Sequence, residues 1–157
     1  MKEEGSTSAN HNQMTAAREP FTAVIVRRWW LLAAVTAAQL CAAAALRVLP
    51  LARVRSIAGR WRRPSRWFVR DSSERVAWAI DATGRRLGSF SSCLARAVIA
   101  EMLLDPLNGP VIFSLGVRHA ADGRFQAHAW IAQADRVLVG ASTEDFVPIV
   151  TWTGGGE

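Results

Sequence analysis

The stretch SSCLARA, residues Ser91–Ala97, decides the fold. Two serines before an alanine-rich apolar run are typical of a helix start, so Cys93 is predicted in the first turn of a helix. Thirty-five residues later, His128 stands in the alternating run FQAHAWI, residues Phe125–Ile131, which predicts a strand. A thiol at a helix start and an imidazole on a following strand form the two parts of a candidate nucleophilic site.

The residue types of this pair suit cysteine-dependent hydrolysis. The thiolate is the nucleophile, and the free N–H groups of a helix start favour its negative charge. A neighbouring imidazole can take the thiol proton and later protonate a leaving amine. Cys93 precedes His128 in the chain, which is the order of papain-like enzymes.

The segments around this pair predict two helices followed by strands. Cap-type residues at Ser72–Glu74 open a first helix, and the Cys93 helix runs on until the breakers at 106–110. From Val111 the apolar period becomes two, which predicts an antiparallel meander with turns at 121–123 and 134–135. The fold class predicted for this part is α+β, a papain-like core of helix and sheet. The predicted strands are 111–117, 124–133, 136–139 and an edge segment at 146–150.

The N-terminal third divides into a polar tail and an arginine-flanked apolar segment. Residues 1–20 are polar and lack a basic start, so a disordered tail is predicted rather than a secretory signal. The run from Trp29 to Leu49 is about long enough to cross a bilayer, but Thr36, Gln39 and Arg47 favour a buried or partner-packed helix. Contact with a membrane surface stays open. A second amphipathic helix should follow Pro50, with a linker at 64–65. The predicted organisation is 1–20 tail, 21–70 helical segment, 71–151 core and 152–157 tail.

The net charge of +6 is concentrated in an arginine cluster with two tryptophans. Three interpretations compete: a solvated helix face, a surface for anionic membrane or nucleic acid, and a docking surface for an acidic partner. No zinc-knuckle, phosphate-loop or RNA-motif spacing accompanies the cluster, so no nucleic-acid partner is predicted. The cluster comprises Arg53, Arg55, Arg60, Trp61, Arg62, Arg63, Arg66, Trp67 and Arg70.

The two cysteines do not form a disulfide framework. Cys41, in the alanine-rich run, is predicted to be a small buried apolar residue. Neither cysteine belongs to a C-x-x-C pair, and the three histidines are not clustered with carboxylates, so neither a metal nor a cofactor is predicted. A reducing cytoplasm is the expected compartment, with membrane association left open.

Three motifs together resemble a known family: ERVAWAI at 74–80, SCLARA at 92–97 and QAHAWI at 126–131. They are similar to those of the lasso-peptide leader peptidases, the B proteins of lasso-peptide biosynthesis, within the transglutaminase-like superfamily. The resemblance covers roughly residues 53–148. It implies removal of the leader from a ribosomal precursor, with Cys93 as nucleophile and His128 as general base.

The same resemblance implies partners. The freed core amine would pass to an asparagine-synthetase-like lasso cyclase, which closes the macrolactam. Some members carry an N-terminal leader-recognition domain, for which the tail before Phe21 is too short. The split form of the family is therefore expected, working with a separate leader-recognition protein.

The chain departs from the family at the third catalytic position. An Asp is expected near Gly140, where the sequence VLVGAS at 137–142 has no carboxylate. If 134–135 is the turn, Asp135 lies on the order of 20 Å away from the position that faces His128. Glu144 or Asp145 looping back, or a backbone carbonyl, are the remaining candidates to orient the ring.

Other interpretations of these residues remain. Cys93 and His128 can both be structural in an adaptor that docks through the Arg/Trp segment, or they can serve a transamidase. Trp130 should share the side of His128 and either wall a site or simply pack. Arg96 can hold the thiolate or bind peptide, but a surface arginine is the simpler expectation. His119 should face solvent.

Overall fold

A computed structural model describes residues 21–68 and 71–154, with side chains for 25–62 and 71–154. The tail predicted at 1–20 lies outside this part, as do residues 69–70 and residues 155–157 of the tail predicted at 152–157. The described residues fold into four α-helices and one antiparallel sheet, which confirms the α+β prediction. The helices are α1 Phe21–Val48, α2 Leu51–Phe68, α3 Ser73–Leu87 and α4 Cys93–Leu103, with short 3₁₀ turns at Gly88–Phe90 and Pro106–Asn108. The strands are β1 Val111–His119, β2 Phe125–Gln133, β3 Arg136–Val139 and β4 Val147–Gly154.

The predicted helix starts are confirmed by side-chain caps. The Ser72 hydroxyl accepts a hydrogen bond from the Arg75 N–H at the start of α3. The Ser92 hydroxyl does the same for the Ala95 N–H at the start of α4. Each cap supplies a partner to a backbone donor that the helix itself leaves unpaired.

Residues Pro64 and Ser65 lie inside α2, so the linker predicted there is wrong. Proline fixes its own φ at a helical value, and the chain continues in helical conformation to Phe68. The helical part and the sheet part also share one apolar core. Leu31, Val35 and Val54 from the first two helices belong to the same buried cluster as Phe113 and Ile131 of the sheet.

The sheet has the strand order β3-β2-β1-β4. The first three strands form the predicted meander, and the two-residue turn between β2 and β3 is made by Ala134 and Asp135, both at positive φ. The fourth strand crosses to the far edge and pairs with β1. Pro148 is tolerated on this edge strand, which runs on to Gly154 through residues that the sequence had suggested belong to a tail.

Alternation along β2 separates its side chains between the two faces of the sheet. Ile131 pairs directly with Phe113, which lies fully buried beneath the Arg55 guanidinium of α2. Cross-strand partners share a face, so Ala129 and Ile131 point toward the helices. His128 and Trp130, one residue out of step, point to the outer face of the sheet.

Among the residues that the structure describes, one stretch of α1, Ile25–Val48, is long and apolar enough to cross a membrane by length and composition, although only 22% of its most apolar part is buried. Such a helix near the N-terminus is weak evidence for membrane association, and no compartment follows from it. Within the described residues it packs against α3 and α4.

Candidate active site

Cys93 is the first residue of α4, directly after the Ser92 cap. The cap pairs the Ala95 N–H, whereas the N–H groups of Cys93 and Leu94 have no acceptor within the helix. The thiol is only partly buried, so a substrate or reagent can reach it. This confirms the predicted placement at a helix start, where free amide dipoles favour a thiolate or an oxyanion.

The segment that leads into α4 is fixed by a fully buried glutamine of α1. The Ser91 hydroxyl donates to Oε1 of Gln39 at 2.5 Å. The Gln39 amide in turn donates to the Ile80 carbonyl at 2.9 Å and to the Thr83 hydroxyl at 2.6 Å. One side chain of α1 therefore joins α3 to the residue two positions before the nucleophile. Sequence reasoning treated Gln39 only as a polar interruption, because its partners lie more than forty residues away.

Arg96, one turn after Cys93, is not the surface arginine that the sequence suggested. Its side chain is largely buried and lies 3.7 Å from an oxygen of Asp81. A Cβ on Gly84 would come within 2.6 Å of the Arg96 stem, so α3 and α4 are in close contact here. Burial raises the pKa of Asp81 above its ordinary value, against the lowering effect of Arg96 and Arg85.

His128 is oriented by a backbone carbonyl. Its Nε2 lies 2.7 Å from the oxygen of Gly140. A carbonyl oxygen can only accept, so the neutral ring carries its proton on Nε2 and keeps a lone pair on Nδ1. This is the tautomer that a general base acting through Nδ1 requires. A carbonyl fixes the tautomer as a carboxylate would, but it brings no negative charge to the imidazolium that forms.

The backbone at Gly140 explains why no carboxylate stands there. Gly140 has φ of +78°, and a Cβ would lie 2.7 Å from the Ala129 carbonyl oxygen and 3.2 Å from Cα of Trp130. The prediction that the residue facing His128 lies near Gly140 is confirmed, with the carbonyl as orienting group. The three carboxylate candidates are not hydrogen-bonded to the ring: Asp135 is exposed in the turn, Glu144 pairs with Arg118, and Asp145 is exposed.

The ring of His128 forms one wall of a cavity of about 160 Å³ on the outer face of the sheet. Trp130 stacks beside it, with centroids 6.2 Å apart and planes 18° from parallel, so the prediction that the two share a side is confirmed. Phe146 lies 5.0 Å from the His128 ring and is itself covered by the Arg118 guanidinium. Arg118 also holds Glu144 at 2.6 Å, which fixes the loop after Gly140 over the cavity.

The two candidate catalytic residues lie on elements that pack against each other, α4 and β2. Helix α4 packs on the helix side of β2, whereas the His128 ring is turned to the outer face. Cys93 does not line the His128 cavity, and within residues 25–62 and 71–154 no hydrogen bond joins its thiol to the ring. The structure thus brings His128 together with Gly140, Trp130 and Phe146, and leaves the thiol outside that group.

Two further predictions concern single residues. Cys41 is exposed, so its prediction as a buried residue is wrong; it lies on the side of α1 turned away from the core. His119 is exposed as predicted and packs on the ring of Phe125, 3.8 Å away. Across the part of the chain that the structure describes, no group of three or more potential ligands is arranged to hold a metal ion.

Comparison with known proteins gives one finding. No curated protein and no solved structure matches the chain. The family model described as "Transglutaminase-like superfamily" matches residues 21–151, which includes all four helices, the candidate nucleophile and His128. Members of this superfamily are typically cysteine-dependent enzymes, and the match fits a cysteine peptidase or a transamidase. With most of its length inside that match, the chain belongs to the transglutaminase-like superfamily.

Proposed function

We propose that the protein is a cysteine peptidase that removes the leader from a ribosomally made lasso precursor peptide. The observation that supports the proposal is the orientation of His128, whose Nε2 proton is held by the Gly140 carbonyl so that Nδ1 keeps a lone pair for a thiol proton. Cys93, at the start of α4, would supply that thiol. The motifs around Cys93 and His128 are similar to those of the leader peptidases. The superfamily match supports the chemistry at the coarser level of cysteine-dependent acyl transfer.

The proposed reaction has two acyl-transfer steps. Nδ1 of His128 takes the thiol proton of Cys93, and the thiolate attacks the carbonyl carbon at the leader–core junction. The N–H of Cys93 is the candidate donor to the oxyanion. His128 then protonates the leaving core amine as the peptide C–N bond breaks. His128 then takes a proton from a water, whose oxygen attacks the thioester carbonyl and frees the leader carboxylate as the C–S bond breaks. The His128 imidazolium returns its proton to the departing Cys93 thiolate.

This mechanism requires the thiol and Nδ1 to come within hydrogen-bonding distance during turnover. Catalytic contacts often tighten only when substrate is bound. The proposed partners are the precursor leader, a separate leader-recognition protein and an asparagine-synthetase-like cyclase. The recognition protein would hold the precursor at high local concentration, which supplies specificity without new contacts at the site.

The decisive experiment follows Cys93 in the full chain carrying Cys41→Ala. We expect iodoacetamide to label Cys93 at about pH 6, well below the range in which an ordinary thiol ionises. The labelling should be lost in His128→Ala and kept in His119→Ala, the matched control at an exposed histidine. The proposal would be contradicted if the labelling rate had the pH dependence of an ordinary thiol and did not change in His128→Ala. This result would have to hold both for the protein alone and with the recognition protein and precursor present.

Cleavage of a lasso precursor, followed by mass spectrometry, separates the alternatives. Hydrolysed leader and free core amine are expected, with Cys93→Ala inactive and His128→Ala reduced by about 10²–10⁴-fold in kcat/KM. A cross-linked glutamine product would indicate a transamidase instead. No turnover with correctly folded protein would indicate an adaptor in which Cys93 and His128 are structural.

A further inference from the structure

Helix α1 has two apolar faces, and the residues that the structure describes cover only one of them. Leu31, Val35, Gln39 and Ala42 are buried against the rest of the fold. The opposite side carries an exposed row of apolar residues at spacings of three and four, which we name the outer stripe. The outer stripe comprises Val26, Trp29, Trp30, Ala33, Ala37, Leu40, Cys41, Ala44 and Val48.

The exposure of the outer stripe is large for apolar side chains. Val26 is 66% exposed, Trp29 65%, Trp30 58% and Val48 79%. The row extends over most of the 28 residues of the helix. Contiguous apolar surface of this kind marks an interaction site, and a surface with tryptophans at one end suits a boundary between water and lipid.

The buried face excludes a simple membrane-spanning arrangement. Gln39 is fully buried and hydrogen-bonded to Ile80, Thr83 and Ser91. A spanning α1 would withdraw from α3 and carry this amide, without those partners, into hydrocarbon, where unpaired polar groups are costly. A helix lying in the membrane plane keeps the Gln39 contacts and still covers the outer stripe.

Charge identifies what would cover the stripe. Residues 21–70 contain ten arginines and no Asp or Glu. Arg47, near the end of α1, and Arg53 and Arg60 of α2 are exposed. The same helix α2 also exposes Ile57 and Trp61. Arginine beside exposed tryptophan is the composition that binds anionic lipid headgroups, and each arginine near such a surface strengthens binding.

We propose that the outer stripe of α1 docks in the plane of an anionic membrane surface, with the stripe at the boundary of headgroups and acyl chains. The exposed arginines Arg47, Arg53 and Arg60 would lie against lipid phosphates. This docking does not depend on the peptidase proposal, since neither Cys93 nor His128 belongs to the stripe.

Cys41 supplies a probe within the stripe itself. The full chain carrying Cys93→Ala is labelled at Cys41 with an environment-sensitive fluorophore and mixed with vesicles. We expect a blue shift of emission with phosphatidylcholine–phosphatidylglycerol vesicles, little with phosphatidylcholine alone, and a weaker shift as salt rises. Lipids brominated near the headgroup should quench the probe more than lipids brominated near the chain end.

Matched variants separate the contributions of the stripe and of charge. Trp29→Ser with Trp30→Ser should lose the vesicle response, while Phe125→Ser, at an exposed aromatic of β2, should keep it. Arg53→Gln with Arg60→Gln should lower the partition coefficient by about fivefold for each arginine removed. Arg124→Gln with Arg136→Gln, which removes the same charge from the turn before β2 and from β3, should leave the partition coefficient unchanged. Thermal unfolding of every variant checks that the fold is intact.

Several outcomes would overturn the proposal. If the protein binds neither kind of vesicle, a protein partner would cover the outer stripe instead. A dimer that dissociates in the Trp29→Ser, Trp30→Ser variant would identify that partner as a second copy of the chain. Equal binding to neutral and anionic vesicles would show that the arginines do not contribute to docking. Deeper quenching by chain-end bromine would indicate a spanning helix rather than one in the membrane plane.

Discussion

The hydroxyl of Ser91 donates a 2.5 Å hydrogen bond to Oε1 of Gln39, across 52 residues of chain. Ser91 is buried and stands two positions before Cys93, where the chain turns into α4. The first helix of the chain therefore helps to fix the position at which the candidate nucleophile begins its helix. It acts through a polar side chain inside an otherwise apolar contact.

Gln39→Leu should destabilise the protein by about 3 kcal/mol. Leucine keeps the approximate volume but leaves the Ser91 hydroxyl without its acceptor and removes the donor to Thr83 and Ile80, and each buried unpaired group costs about 1–3 kcal/mol. Urea unfolding measures the change. Thr36→Ala is the control, because Thr36 donates only to Leu32 within its own helix, and should cost less than about 1 kcal/mol. Equal effects of the two variants would show that the network contributes little.

Gly140→Ala should cost clearly more stability than Gly123→Ala. Both glycines have φ near +79°, but only Gly140 is crowded: an added Cβ meets the Ala129 carbonyl oxygen at 2.7 Å, and at Gly123 nothing lies within 4 Å. At Gly123 we expect the substitution to lower the free energy of unfolding by about 1 kcal/mol, because alanine is strained at positive φ. A further 1–3 kcal/mol, approximately, is expected at Gly140 from overpacking. Because the Gly140 carbonyl orients His128, Gly140→Ala should also reduce precursor cleavage; full activity would contradict the orienting role.

Arg55→Met should destabilise the fold by about 2–3 kcal/mol. The Arg55 guanidinium donates two hydrogen bonds to Glu101, at 2.9 Å and 2.7 Å, and lies over the ring of Trp152. Methionine keeps the packing but leaves the carboxylate of Glu101 unpaired in a largely buried place. Thermal and urea unfolding report the change, and adding Glu101→Gln should recover part of it.

The exposed pair of Arg136 and Glu74 provides the comparison. Both side chains are mostly in solvent, so Arg136→Met should change the stability by less than about 0.5 kcal/mol. A similar loss at Arg136 and at Arg55 would mean that the burial of the Arg55 pair does not decide its contribution.

Asp81→Asn should alter how stability depends on pH. Burial raises the pKa of Asp81 in the fold, so the folded chain holds a proton that the unfolded chain has already released. Stability from this group is therefore present at low pH and falls as pH rises from the ordinary carboxyl pKa to the raised one. The variant lacks this fall, so its unfolding free energy relative to wild type should increase through that interval and then level off.

Asp122→Asn is the matched control for this titration. The hydrogen bond from Arg124 lowers the pKa of Asp122, so any contribution of this carboxylate is lost as pH falls, the opposite sign. Urea unfolding at a series of pH values between about 3 and 7 measures both variants. Parallel curves for wild type and Asp81→Asn would show that Asp81 does not titrate differently in the fold.

Local signals predicted much of the fold. The serine caps at Ser72 and Ser92, the turn at Ala134 and Asp135, and the alternation in β2 are decided by residues a few positions apart. The pairing of β4 with β1 rather than β3 was not predicted, because strand order depends on contacts between distant segments. The same reason hid the role of Gln39.

Two further features could not be predicted from the spacing of apolar residues. Both faces of α1 are apolar, so its pattern does not tell the inner side from the outer, and Cys41 was assigned to the wrong one. At Gly140 the sequence showed only a missing carboxylate. The group that accepts the His128 hydrogen bond instead is the backbone carbonyl of Gly140. Since every residue has a backbone carbonyl, the sequence does not show which one takes this role.

The hydrogen bond from His128 to the Gly140 carbonyl makes the orienting group at this position a part of the backbone rather than a side chain. Every amino acid carries a carbonyl, so no mutation at residue 140 can delete the functional group; a mutation can only move it by altering the backbone. The orientation of His128 therefore depends on the backbone conformation at residue 140, which glycine permits, and not on a side chain there. Under the proposed mechanism, a search for three catalytic side chains would therefore miss this site, whereas a comparison of the backbone path beside the histidine would find it.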